Sequence, residues 1–171
     1  AKPIWMTELG IYADDDPAAL PPRAGDATMN RSQRPNELRA AADLVKFAAI
    51  LGSAGVGKIF YHAGACGAWN ESSAGNVFFE YGGQPRKMYA AQAVLSRLLG
   101  PEFTFVQKWA EPADLQAFQF RSGQRQVVIL WSRRGEKTIS PPEGFAALDL
   151  MGNPIATRPV PIGDIPVYLV K

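Results

Sequence analysis

Cysteine and histidine are nearly absent from this sequence, which contains one of each, Cys66 and His62. A lone cysteine cannot close an intramolecular disulfide, and one Cys with one His falls far short of a zinc-site pattern, so no metal and no cofactor is expected. Cys66 lies in a Gly/Ala loop with no adjacent base and receives no role. Long apolar runs are missing too. Residues 47–51, as long as any, sit inside a helical pattern and are far below the roughly 18 residues that a membrane span needs. Neither sign of charge dominates: 18 basic and 16 acidic residues are spread along the chain for a net charge of +2. No basic block marks nucleic-acid binding, and charge names no partner. The first residues also lack a basic segment leading into an apolar one, so no signal peptide is read there.

What is present is an ordinary globular composition. With 171 residues, 47% apolar and 20% charged, the chain can build one sizeable core or two small ones. Disorder, collagen and coiled coil are excluded.

Along the chain, residues 4–7 form a short apolar run between Pro3 and Gly10, which suits a buried strand. Residues 14–35 hold three consecutive aspartates, Pro17, Pro21, Pro22 and Gly25 without any period, and read as an irregular surface excursion. The aspartates lack the spaced ligands of a calcium loop, so a solvated acidic turn is the expectation. Helical signals begin at Pro35, placed in the first turn, with Glu37 near the N-terminus and apolar residues at 38, 41, 42, 45, 48 and 49 up to Gly52. A second buried strand is expected over residues 56–62 and a second helix over residues 87–99, stopped by Gly100 and Pro101. Beyond Pro101 the pattern changes to short strands at residues 103–109, 115–120, 126–131, 145–150 and 167–170, most of them separated by turn signals. The expected fold class is α/β followed by all-β, with one unit over residues 1–100 and a small antiparallel β domain over 101–171.

The residues narrow this further. Lys2-Pro3-Ile4-Trp5-Met6-Thr7-Glu8-Leu9-Gly10 resembles the KPIWxTEFG segment that ends barrel strand seven in clan A glycoside hydrolases. Lys58-Ile59-Phe60-Tyr61-His62 resembles the eighth strand of those barrels, and Gly83-Gln84-Pro85-Arg86-Lys87-Met88-Tyr89-Ala90-Ala91 the DGxPKPAYxA start of the eighth helix. Asp149-Leu150-Met151-Gly152-Asn153-Pro154, with Ile165-Pro166-Val167-Tyr168-Leu169, is similar to the C-terminal β domain of the arabinofuranosidase, xylosidase and cellulase-like branches. The resemblance implies the last two β/α units of a TIM barrel followed by an antiparallel β-sandwich domain. It further implies an oligosaccharide or polysaccharide substrate, a barrel segment preceding residue 1, and a secreted or periplasmic setting.

Retaining glycoside hydrolysis needs two carboxyl groups roughly 5 Å apart, one attacking the anomeric carbon and one protonating the leaving oxygen. By position alone Glu8 could be a solvated strand-end residue; the motif instead implies that it is the nucleophile. The family's acid/base Glu follows an Asn at the end of strand four, which would precede residue 1. Asn70-Glu71 is such a pair but falls after the eighth strand, so Glu71 reads as a solvated loop residue. Sugar rings pack their C–H faces on aromatic side chains, which makes Trp69, Tyr61 and Tyr12 candidate platforms. Trp69 could equally cover the barrel end. His62 is either a donor to a sugar hydroxyl or a structural histidine. Trp5, Trp109 and Trp131 lie in strand patterns and are expected to pack in a core or between domains.

Two other classes stay open. Residues 101–171 could be a non-catalytic carbohydrate-binding or structural module, the former favoured if Trp109 and Trp131 line one exposed face. A degenerate barrel acting as an interaction protein is the other.

Overall fold

The computed structural model describes residues 2–11, 13, 15, 36–61, 77–79, 84–110 and 114–171. Two β/α units come first. Strand β1 (Ile4–Leu9) is followed by helix α1 (Glu37–Ser53), strand β2 (Val56–Tyr61) and helix α2 (Lys87–Leu99). The strands pair in parallel, as a crossover through a helix requires. The first helix begins two residues later than Pro35 suggests. Asn36 is its N-cap, with the side-chain oxygen accepting the Arg39 backbone N–H at 2.9 Å. Asn36→Ala should cost about 1 kcal/mol, read as a shift of the urea unfolding midpoint; no shift would mean that the cap is dispensable.

Seven strands follow: β3 (Thr104–Lys108), β4 (Leu115–Ser122), β5 (Arg125–Ser132), β6 (Lys137–Ile139), β7 (Ala146–Leu148), β8 (Val160–Ile162) and β9 (Val167–Val170). Five form one sheet in the order β3-β4-β5-β9-β7, every neighbouring pair antiparallel, while β6 and β8 pair separately. Neither β6 nor β8 is anticipated from the sequence, since three residues are too few to show a period.

Both faces of the five-stranded sheet are covered, and period-two alternation sorts the side chains between them. Phe118, Phe120, Val127, Ile129, Trp131 and Tyr168 face the helices and share one buried cluster with Ala41, Leu44, Val45, Met88, Ala91, Leu95 and Leu98. Leu115, Ala117, Val128, Leu130, Val167 and Leu169 fall on the far side with Val160 and Ile162 of β8. A strand buried on both faces reads as a continuous apolar run, which explains why the alternation in residues 115–120 looks imperfect in the sequence. The main core therefore runs between the helix layer and the sheet, across the change of architecture at Gly100. Gly52 marks how tightly they meet: a Cβ there would come within 3.0 Å of the Phe103 ring.

The tryptophans divide. Trp131 is buried and stacks on Phe118 at 5.4 Å, and half-buried Trp109 donates its indole N–H to Gln119 at 3.1 Å. Trp5 departs from the packing expected of it and is 50% exposed. Its strand has a neighbour on one side and helices behind, while the other face is open to solvent, where Ile4 and Phe60 are exposed too. Among the described residues no helix is long and apolar enough to cross a membrane.

Candidate functional site

In β/α units, side chains at the C-terminal ends of parallel strands converge on ligands. Here those ends are Leu9 and Tyr61, which are register partners. Ile59 and Tyr61 pack toward the helix cluster, so their strand neighbours Lys58 and Phe60 belong to the opposite face. Trp5 lies on that opposite face, with its ring 6.1 Å from Phe60 and the Lys58 ammonium 5.0 Å above it.

Glu8 lies within an irregularity of the pairing. Met6 pairs with Ile59 and Leu9 with Tyr61, so three steps along β1 match two along β2. Regular alternation would put Glu8 on the same face as Met6, toward the helices. With the slip, Met6 and Leu9 are the partners of Ile59 and Tyr61 and are half-buried, while Thr7 and Glu8 between them are both exposed, as expected if both turn to the face of Phe60. One extra residue re-aims a side chain in this way in bulges beside active sites. The consequence is a carboxylate on the open face of a parallel pair, one residue before its C-terminal end.

Of the other candidates, only Tyr61 falls within the described residues; Tyr12, His62, Trp69 and Glu71 lie outside them. Tyr61 is half-buried against the core and meets Phe78 edge-on at 5.5 Å. Its hydroxyl is buried and has no hydrogen-bond partner among the described residues, and burial pushes the phenol above its ordinary range. The Tyr168 hydroxyl, also buried and without a partner there, is raised by burial first and then by the nearby Asp149 and Tyr61.

Behind the strand ends lies a buried ionic cluster that the sequence reading does not single out. Arg86, at the start of α2, is 1% exposed and Glu37, at the start of α1, 4%. Arg86 Nη1 meets Glu37 Oε1 at 3.0 Å, and Glu37 Oε2 accepts the Lys87 backbone N–H at 2.9 Å. Arg86 also donates to the carbonyls of Ala13 (2.7 Å) and Phe79 (3.3 Å). The signal was available as the Arg86 of the α2 motif and a Glu at a helix N-terminus, but only the fold brings residues 49 apart together.

Asp15 extends the cluster to the surface, accepting the Glu37 backbone N–H at 2.9 Å and pairing with Lys87. The Lys87 ammonium, then the Glu37 N–H, hold the Asp15 carboxyl below the usual carboxylate range, and Asp15 in turn raises Lys87. A depressed folded-state pKa means that the pair's stabilisation is present above the ordinary value of 3.8 and is lost as pH falls through the lower folded value. Both side chains are nearly half exposed, so screening limits it to ~0.5 kcal/mol. Asp15→Asn should lower the thermal midpoint slightly near neutral pH, with the difference from wild type closing as pH falls below the ordinary value of 3.8; a difference that stays constant through acid pH would rule the pairing out as its source.

Among solved structures, a family 39 glycoside hydrolase from the gut symbiont Bacteroides cellulosilyticus WH2 matches 98% of this chain at a TM-score of 0.66 with 16% identity. A family 30 subfamily 8 xylanase from Clostridium acetobutylicum matches 99% at 0.63 with 11% identity. A family 30 endoxylanase from Clostridium papyrosolvens C71 matches 99% at 0.56 with 12% identity. The fold is glycoside hydrolase-like. These neighbours belong to clan A, and the likeness falls on their C-terminal part. The chain spans 33% of the first and 42% of each of the other two. No protein-family model and no curated protein matches it.

Proposed function

We propose that this chain supplies the seventh and eighth β/α units and the appended β-sandwich of a (β/α)8-barrel glycoside hydrolase that acts with retention on an oligosaccharide or polysaccharide. What supports this reading is Glu8: an exposed carboxylate one residue before the end of a parallel strand, inside a register slip that would turn it to the face away from the helices. In a closed barrel that face lines the interior. There Glu8 would attack the anomeric carbon and form a covalent glycosyl intermediate, which water then releases.

The second carboxyl group belongs outside residues 1–171. Of the other described carboxylates, Glu37 is engaged with Arg86, Asp15 with Lys87, Asp43 with Lys46, Asp164 with Arg39 and Asp149 with the backbone N–H groups of Met151 and Asn153, while Glu102, Asp114, Glu136 and Glu143 belong to residues 101–171. An upstream barrel segment would bring the acid/base residue to within about 5 Å of Glu8 and cover exposed Ile4, Trp5 and Phe60. Trp69, His62 and Tyr12 keep the sugar contacts that the sequence suggests for them. Tyr61 contributes mainly to the wall, since its ring lies against Phe78. The buried Trp131 and bonded Trp109 favour a buttress over a carbohydrate-binding surface for residues 101–171.

The test is the product anomer released by the complete chain from an aryl glycoside, followed by proton NMR. Retention is expected; an inverted first-formed product would contradict the role given to Glu8.

A further inference from the structure

Arg86 is an unusual expense for a small helix start. Its guanidinium is wholly buried, and taking two charges out of water costs several kcal/mol per ion, which an ion pair recovers only with good geometry and further hydrogen bonds. Apolar side chains of similar volume commonly stabilise such a site as well. What they cannot do is hold backbone carbonyls. Arg86 binds the carbonyl of Ala13, in the segment after β1, and that of Phe79, in the segment after β2, while its ion pair ties in the first turn of α1. Its own N–H donates to the Phe78 carbonyl at 2.8 Å. One planar side chain, with its five fixed donors, thus joins both segments that leave the strand ends.

The first of those segments begins at Gly10, two residues after Glu8. Ile11 and Ala13 are buried, at 1% and 2% exposure, so the chain beyond the carboxylate is anchored within a few residues. The Ala13 carbonyl accepts from Arg86 at 2.7 Å, the shortest of these bonds among the described residues. We propose that Arg86 is a positioning residue: through the Ala13 carbonyl and Glu37 it fixes the end of β1, and with it the Glu8 carboxylate, relative to the end of β2. This rests on the reading of Glu8 as nucleophile. Arg86, at 1% exposure, is buried away from substrate and acts through the groups it holds.

Arg86→Lys in the complete chain keeps the charge opposite Glu37 but cannot span the same carbonyls. With an aryl glycoside, kcat should fall about tenfold or more while KM stays within about twofold, the signature of a misplaced reacting group. A folded Arg86→Lys with native kcat overturns the proposal. If that variant fails to fold, the paired replacement Arg86→Met with Glu37→Met removes the charges together. A restored thermal midpoint with kcat still low supports positioning; restoration of both overturns it and leaves Arg86 a purely structural role. Glu8→Gln separates the two claims. If it is inactive while the Arg86 variants keep native kcat, positioning alone fails; if Glu8→Gln turns over normally, the nucleophile reading fails and takes the positioning role with it.

Discussion

Glu8→Gln, made in the complete chain, is expected to lower turnover of an activated aryl glycoside on the order of 10⁴-fold while leaving the unfolding midpoint within about 1 °C of wild type. The two halves of this result have separate causes. The amide keeps the size of the side chain but cannot form an ester with the anomeric carbon, so the covalent route closes. The carboxylate is also exposed and makes no ion pair among the described residues, so its replacement disturbs little packing. Surface substitutions away from buried networks seldom move stability by more than about 0.5 kcal/mol. Loss of activity together with a large loss of stability would instead make Glu8 a structural residue of the strand end.

The largest effect on stability should come from Glu37→Ala. Removing this carboxylate takes from the buried Arg86 guanidinium its acidic partner among the described residues, and from the Lys87 N–H its acceptor. Breaking one side of a buried pair costs about 3–5 kcal/mol, most of it the penalty of the stranded charge. Replacing both partners by Met should cost clearly less than the single change, since no charge is stranded and what remains is the loss of the bonds to the Ala13 and Phe79 carbonyls and the Lys87 N–H. Urea unfolding of the single and paired variants measures the contrast. A cost below about 1 kcal/mol for Glu37→Ala would mean that water reaches Arg86 and the pair is not buried in solution.

The long periodic elements were legible in the sequence because their signals are local. The helix over Lys87–Leu99 has the boundaries its apolar spacing and the Gly100-Pro101 stop dictate, and Val56–Tyr61 follows its apolar run. Ile4–Leu9 runs two residues further than the apolar run suggests, because the slipped pairing carries Glu8 and Leu9 into the strand. The faces of β4 were not legible, since a sheet covered on both sides leaves no polar stripe to mark one. Trp5 was misjudged because a strand pattern gives alternation but not whether a neighbour covers that face. At the candidate site, Glu8 was visible through its motif, whereas the register slip that turns it outward depends on how β1 meets a strand some fifty residues away. The Arg86–Glu37 pair was hidden for the same reason: in sequence each is one ordinary charge at a helix start.

The most direct measurement is covalent trapping. Treating the complete chain with an activated 2-deoxy-2-fluoro glycoside and mapping the digested protein by mass spectrometry should place one added sugar mass on the peptide containing Glu8, with no label in Glu8→Gln. A stoichiometric label on any other carboxylate, or unchanged labelling in Glu8→Gln, would contradict the role assigned to this residue.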